Sequence, residues 1–114
     1  MLRLLILAAS MLAATVPAAA DRYKDCSQSA DQDRSIRGCT QILKRGKRES
    51  RKIRSIAYTN RGLAYARKGQ AERAIADYDK AIKIVHAAGD QICKAEIGHD
   101  LYRARLAVPA RHGP

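Results

Sequence analysis

The stretch SIAYTNRGLAYARK at residues 55–68, followed by GQ at 69–70 and AERAIADYDKAIKIV at 71–85, decides the fold. Each half repeats its small and apolar residues at a period of 3.6, the signature of a helix with one buried face. In the first half Tyr58, Gly62 and Tyr65 share a face; in the second Ala74, Tyr78, Ala81 and Val85 do so. Gly69 can adopt the left-handed conformation that ends a helix, and Arg67 and Lys68 place positive charge in the last turn, where the helix dipole favours it. The short break between the halves then predicts two antiparallel helices. Gly62, Ala74 and Ala81 allow close approach of their axes, while the tyrosines fill the volume beside them and keep their hydroxyls near the rim.

With Ser55 as the first position, Tyr58, Gly62, Tyr65, Ala74, Tyr78 and Ala81 stand at the offsets of a repeating unit of about 34 residues. Residues 55–88 thus resemble the tetratricopeptide repeat. Two positions depart from that pattern: Arg61 stands where the family usually has Leu, and His86 where it usually has Pro, which leaves the end of the second helix less sharply set. The resemblance implies an all-α fold, with helical hairpins stacked as a short α–α superhelix of tetratricopeptide type. It further implies a protein or peptide partner lying across the first helices of the hairpins. On this sequence the positions facing such a partner are Ile56, Thr59, Asn60, Leu63 and Arg67. Asn60 would bond an extended backbone and Arg67 a carboxylate; an ordinary exposed polar face is the competing explanation.

Upstream, DRSIRGCTQIL at 33–43 lays over ERAIADYDKAI at 72–82, with Arg34 on Arg73, Ile36 on Ile75 and Cys39 on Tyr78. This predicts the second helix of a partial repeat at 26–45, preceded by a short segment holding Cys26. The offset is 39 residues, so about five extra residues fall in the connection to the next hairpin. Downstream, residues 91–107 read as a capping helix with Ile92, Ile97, Leu101 and Tyr102 available for burial, and residues 109–114 as a frayed tail.

The N-terminal segment carries Arg3, then no charge from Leu4 to Ala20, with Pro17 just before three alanines. These are the marks of a secretory signal peptide at 1–20, cleaved near Ala20. The run falls short of the roughly 20 apolar residues of a membrane span, and an uncleaved anchor is the competing explanation. A periplasmic or secreted protein is expected, and its mature chain should form a single small helical domain at 21–108. An oxidising compartment would let cysteines pair. Of the three pairings open to Cys26, Cys39 and Cys93, we expect Cys26 with Cys39, which closes a loop of about 14 residues and contributes roughly 3 kcal/mol on a chain-entropy argument. Cys93 then serves either as a small buried apolar residue or as an intermolecular bridge. The signal peptide, the cysteine pair around a charged helix and the AYTNRGLAY motif at 57–65 together resemble exported repeat proteins of bacteria.

Charge is the other strong feature. The formal net charge is +11, and removal of Arg3 with the leader brings it to +10. Such a surface attracts anionic lipid, polysaccharide or acidic proteins. The charge is densest at Lys44, Arg45, Lys47, Arg48, Arg51, Lys52 and Arg54, broken by the single acid Glu49. That run is either a solvated connection between helices or an anion-binding patch. No aromatic residue interleaves it, so nucleic acid is not the expected partner.

No catalytic set emerges. His86, His99 and His112 recur every thirteen residues, which puts no two on one helical turn. Cys93 and His99 stand six apart rather than the three or four that a ligand pair on a helix needs. Gly46-Lys47 is followed by Arg48 and lacks the upstream Gly of a phosphate loop. Asp77 and Asp79 point to different sides of their helix. The expectation is a non-catalytic interaction module without cofactor or metal, and the alternative is a cationic surface protein that holds anionic lipid or polysaccharide through residues 44–54. Stacked repeats usually need about three units for independent stability. With one clear unit, the disulfide, the capping helix or a second copy of the chain, joined by hairpin stacking or through Cys93, must compensate.

Overall fold

Ser50 starts the central helix: its side chain accepts the backbone N–H of Ile53 in the N-cap position, and the helix then runs Arg51–Arg67. The computed structural model describes residues 18–89 and 91–108, with side chains from 21 and again from 94. The leader at 1–17, the tail at 109–114 and the side chain of Cys93 lie outside the described residues. Five helices follow in order: α1 at Ala18–Ser27, α2 at Gln32–Lys44, α3 at Arg51–Arg67, α4 at Ala71–Ala88 and α5 at Gln91–Ala107. A single 3-10 turn at Gly46–Arg48 occupies the connection between α2 and α3. Among the described residues there is no strand, and no helix is long and apolar enough to cross a membrane.

Each break has a local cause. Gln28 organises the reversal between α1 and α2: its side-chain oxygen accepts from the N–H groups of Ala30 and Asp31, and its amide nitrogen donates to the carbonyls of Asp25 and Asp31. Asp31 then caps α2 by accepting from the N–H of Arg34. Gly69, at φ 75°, turns the chain from α3 into α4. The end of α4, which His86 in place of proline left less sharply set in the sequence, is defined by Gly89, whose φ of 76° supplies a left-handed C-cap.

Packing follows the chain as two antiparallel hairpins, α1 on α2 and α3 on α4, with α2 against α3 and α5 against α4. Contacts between α1 and α3 and between α3 and α5 place these three helices along one side. Two close approaches set the geometry. A Cβ on Gly62 would stand 2.8 Å from the ring of Tyr78, and one on Gly38 would stand 2.7 Å from the Arg22 carbonyl and the Cys26 nitrogen. At Gly38, therefore, α1 and α2 cross at backbone distance.

The apolar interior is divided. One cluster joins Ala74, Tyr78, Ala81 and Val85 of α4 to Ile97, Leu101 and Ala104 of α5, with Tyr58 and Tyr65 against it. The other holds Cys26, Cys39, Ile42 and Ala57, with Leu43 and Ile53 beside it. Cys26 and Cys39 are joined by a disulfide at the heart of this smaller cluster, and Cys39 is fully buried.

Candidate partner-binding face

Arg61 sits between the two clusters. Its guanidinium donates twice to the Asp77 carboxylate, at 2.7 Å each, and once to the Thr40 hydroxyl at 3.1 Å. Asp77 is 3% exposed, so this bidentate pair is largely shielded from water. It raises the Arg61 pKa, the hydrogen bonds to Asp77 being the main cause. The residue that departs from the repeat pattern is thus the one that ties α2, α3 and α4 together. Around it, cations and rings alternate: Arg61 lies 5.7 Å from the Tyr58 ring and 5.9 Å from that of Tyr65, with Lys80 over Tyr58 and Arg73 over Tyr65. This arrangement occupies the α4 side of α3 and frees the other side for contact.

On that other side stand the five positions expected to meet a partner. Ile56 is 42% exposed, Leu63 half-buried and Arg67 exposed. Thr59 turns its hydroxyl back to the Ser55 carbonyl at 2.8 Å, so it contributes its methyl group to the surface. Asn60 donates its amide to the Cys26 carbonyl at 3.3 Å, an acceptor shared with the Ser35 hydroxyl at 3.2 Å. That carbonyl lies in the last turn of α1, where no intrahelical donor remains. Asn60 therefore holds α1 in place with the same amide group that was expected to meet a partner backbone.

Two clefts flank this stripe. The first, about 310 Å³, opens between α1 and α3 over Tyr23, Ile42, Ile53, Ile56 and Asn60. The second, about 400 Å³, opens between α3 and α5 over Leu63, Arg67, Tyr78, Asp100 and Arg103. A small hollow over Ser27, Gln32, Asn60, Leu63 and Arg67 lies between them. The first is lined mainly by carbon; the second has charge of both signs at its rim.

The basic run 44–54 divides rather than forming one patch. Lys44, Lys47, Arg48, Arg51 and Lys52 are exposed. Arg45 is half-buried and bonds Glu49 at 2.6 Å, and Glu49 also accepts the Tyr23 hydroxyl. The Tyr23 hydrogen bond, helped by Arg45, holds the Glu49 carboxyl below its usual range, and the same bond raises the Tyr23 phenol. The lone acid of the run is thus a buried tether for α1. Arg51, Lys52 and Arg54 belong to the first turn of α3. Among the described residues, no group of three or more His, Cys, Asp or Glu is placed to hold a metal.

Comparison with known families bears on the central hairpin. Residues 55–86 match the tetratricopeptide repeat. The match covers α3 from its second turn and all but the end of α4. No characterised protein and no solved structure matches the chain. Gly62 against Tyr78 is the close approach of the tetratricopeptide hairpin, and α3 is its first helix. In the sequence Arg61 stands out only as an irregularity, and its partner Asp77 only as half of a carboxylate pair. A charged residue at an apolar position of a repeat was the signal, since a buried cation needs a buried anion.

Proposed function

We propose that the protein is an exported, non-catalytic interaction module that holds a segment of a partner protein across α1, α3 and α5. The observation that carries this reading is the α3 stripe from Ile56 through Leu63 to Arg67, which runs between two open clefts. Exposed apolar side chains beside a groove, with cations at its end, suit a segment carrying apolar residues and an acidic group. Tetratricopeptide repeats generally bind proteins, and the disulfide is consistent with an oxidising compartment. Cleavage after Ala20 would leave Asp21 at the start of α1, where a negative charge favours the helix.

The test places a photo-crosslinking residue at position 63, with position 76 on the exposed side of α4 as control, in the cells that make the protein. A discrete protein adduct from 63, absent from 76 and lost on Ile56→Asp, is the expected result. Equal labelling from both positions would remove the groove from consideration. Mass spectrometry of the same material reads export directly: the chain should begin at Asp21 and carry the Cys26–Cys39 bridge.

A further inference from the structure

Opposite the groove, the first turn of α3 meets the last turns of α4 in a second kind of cleft. It holds about 210 Å³ and is lined by Arg51, Arg54, Lys83, Ile84 and Ala87. At 100° per residue, Arg51 and Arg54 fall on the side of α3 away from Ile56, Asn60 and Leu63, so this cleft shares no wall with the groove. Three cationic side chains and no acid border it. None of the three belongs to an ion pair among the described residues, whereas Arg34, Arg45, Arg61, Lys68 and Arg105 do. The Nε of Arg54 is buried and has no hydrogen-bond partner among the described residues. A buried, unpaired donor of a charged group is costly. Arg51 and Arg54 lie in the first turn of α3, where the positive end of the helix dipole adds to their charge.

We propose that Arg51, Arg54 and Lys83 form a binding site for a phosphate group. Two guanidinium forks and one ammonium match an anion of more than one charge with several acceptor oxygens. The volume suits a head group and is smaller than the pockets that hold whole drug-sized ligands. Ile84 and Ala87 offer a carbon wall to the organic portion of a phosphate ester. The phosphate can come from a soluble compound or from a phospholipid head group, and in either case the basic run acts through two of its seven cations together with Lys83, a residue outside the run.

The disulfide-bonded protein is titrated with inorganic pyrophosphate in about 0.1 M salt, where charges more than ~10 Å apart are screened. In a second arm it is floated with phosphatidylglycerol–phosphatidylcholine vesicles. Arg54→Gln with Lys83→Gln is compared with Lys44→Gln with Lys47→Gln, which removes the same net charge from exposed positions outside the cleft. The cleft pair should weaken binding by about tenfold or more in at least one arm, the loss expected for charge-assisted hydrogen bonds. The control pair should change it less than about twofold. Loss confined to pyrophosphate assigns a soluble phosphate; loss confined to vesicles assigns the head group. Lys83→Gln alone, at an exposed position, gives the same reading if the double variant misfolds by circular dichroism. Equal losses from the two pairs, or no binding in either arm, would overturn the proposal.

Discussion

Arg61 shows how one residue decides between two kinds of interior. A Leu there would have joined the two apolar clusters; the guanidinium instead separates them and needs Asp77. Removal of one partner strands the other charge away from water, so Arg61→Ala should destabilise the protein by about 3–5 kcal/mol, whereas Arg61→Leu with Asp77→Leu should come out near neutral. Urea unfolding of the two variants measures the difference, and equal losses would show that the pair is not a unit. Gly62 acts through absence: Gly62→Ala puts a methyl group against the buried Tyr78 ring, an overpacking expected to cost about 1–3 kcal/mol. Burial pushes the Tyr78 phenol up to about 12. With the folded value above the unfolded one near 10, the contribution is complete below pH 10 and is lost as pH rises toward 12, on the order of 2–3 kcal/mol in all. Tyr78→Phe should flatten that alkaline limb in a series of thermal melts from pH 9 to 11, and an unchanged slope would refute the assignment.

Among the elements, α1 is the one with least of its own. It has two to three turns, and its attachments are the disulfide, the backbone contact at Gly38, the Tyr23–Glu49 hydrogen bond and the Asn60 amide on the Cys26 carbonyl. Reduction should lower the melting temperature by an amount equivalent to roughly 3 kcal/mol while the helical signal at low temperature persists, because the other hairpin contains neither cysteine. Calorimetry with and without dithiothreitol checks it; coincident transitions would show that the bridge adds nothing. The central hairpin was legible in the sequence for the opposite reason. Its helices are long, their faces are complete, and Gly62, Ala74 and Ala81 encode the contact in residue size alone. The link at Arg61, Asp77 and Thr40 was not legible, because it joins three elements and has no period. Nor was the tether at Glu49, which in the sequence is merely an interruption in a run of bases.

For the whole molecule, burial and charge are distributed unevenly, and this organises what its surfaces can do. The α1, α3 and α5 side offers clefts, one lined mainly by carbon and one with charge of both signs at its rim; the α3 and α4 end offers a smaller cleft where three cations and no acid stand beside the carbon of Ile84 and Ala87. Sequence placed both sets of residues but not their separation, since Arg54 and Ile56 are neighbours along the chain and face apart in the helix. Salt should therefore act unequally on the two surfaces, with phosphate binding falling steeply between about 0.05 and 0.5 M salt and groove binding responding less. Parallel titrations would expose a common mechanism if the two slopes agreed. The division of the interior also has a spectroscopic consequence. The chain has no Trp, and three of its five tyrosines, Tyr58, Tyr65 and Tyr78, stand in the central hairpin, while Tyr23 and Tyr102 are exposed. Tyrosine emission and near-ultraviolet dichroism are then reporters of that hairpin, whereas far-ultraviolet dichroism weights every helix alike. Unfolding curves from the two signals should diverge on reduction, giving the molecule an internal gauge of how independently its halves melt.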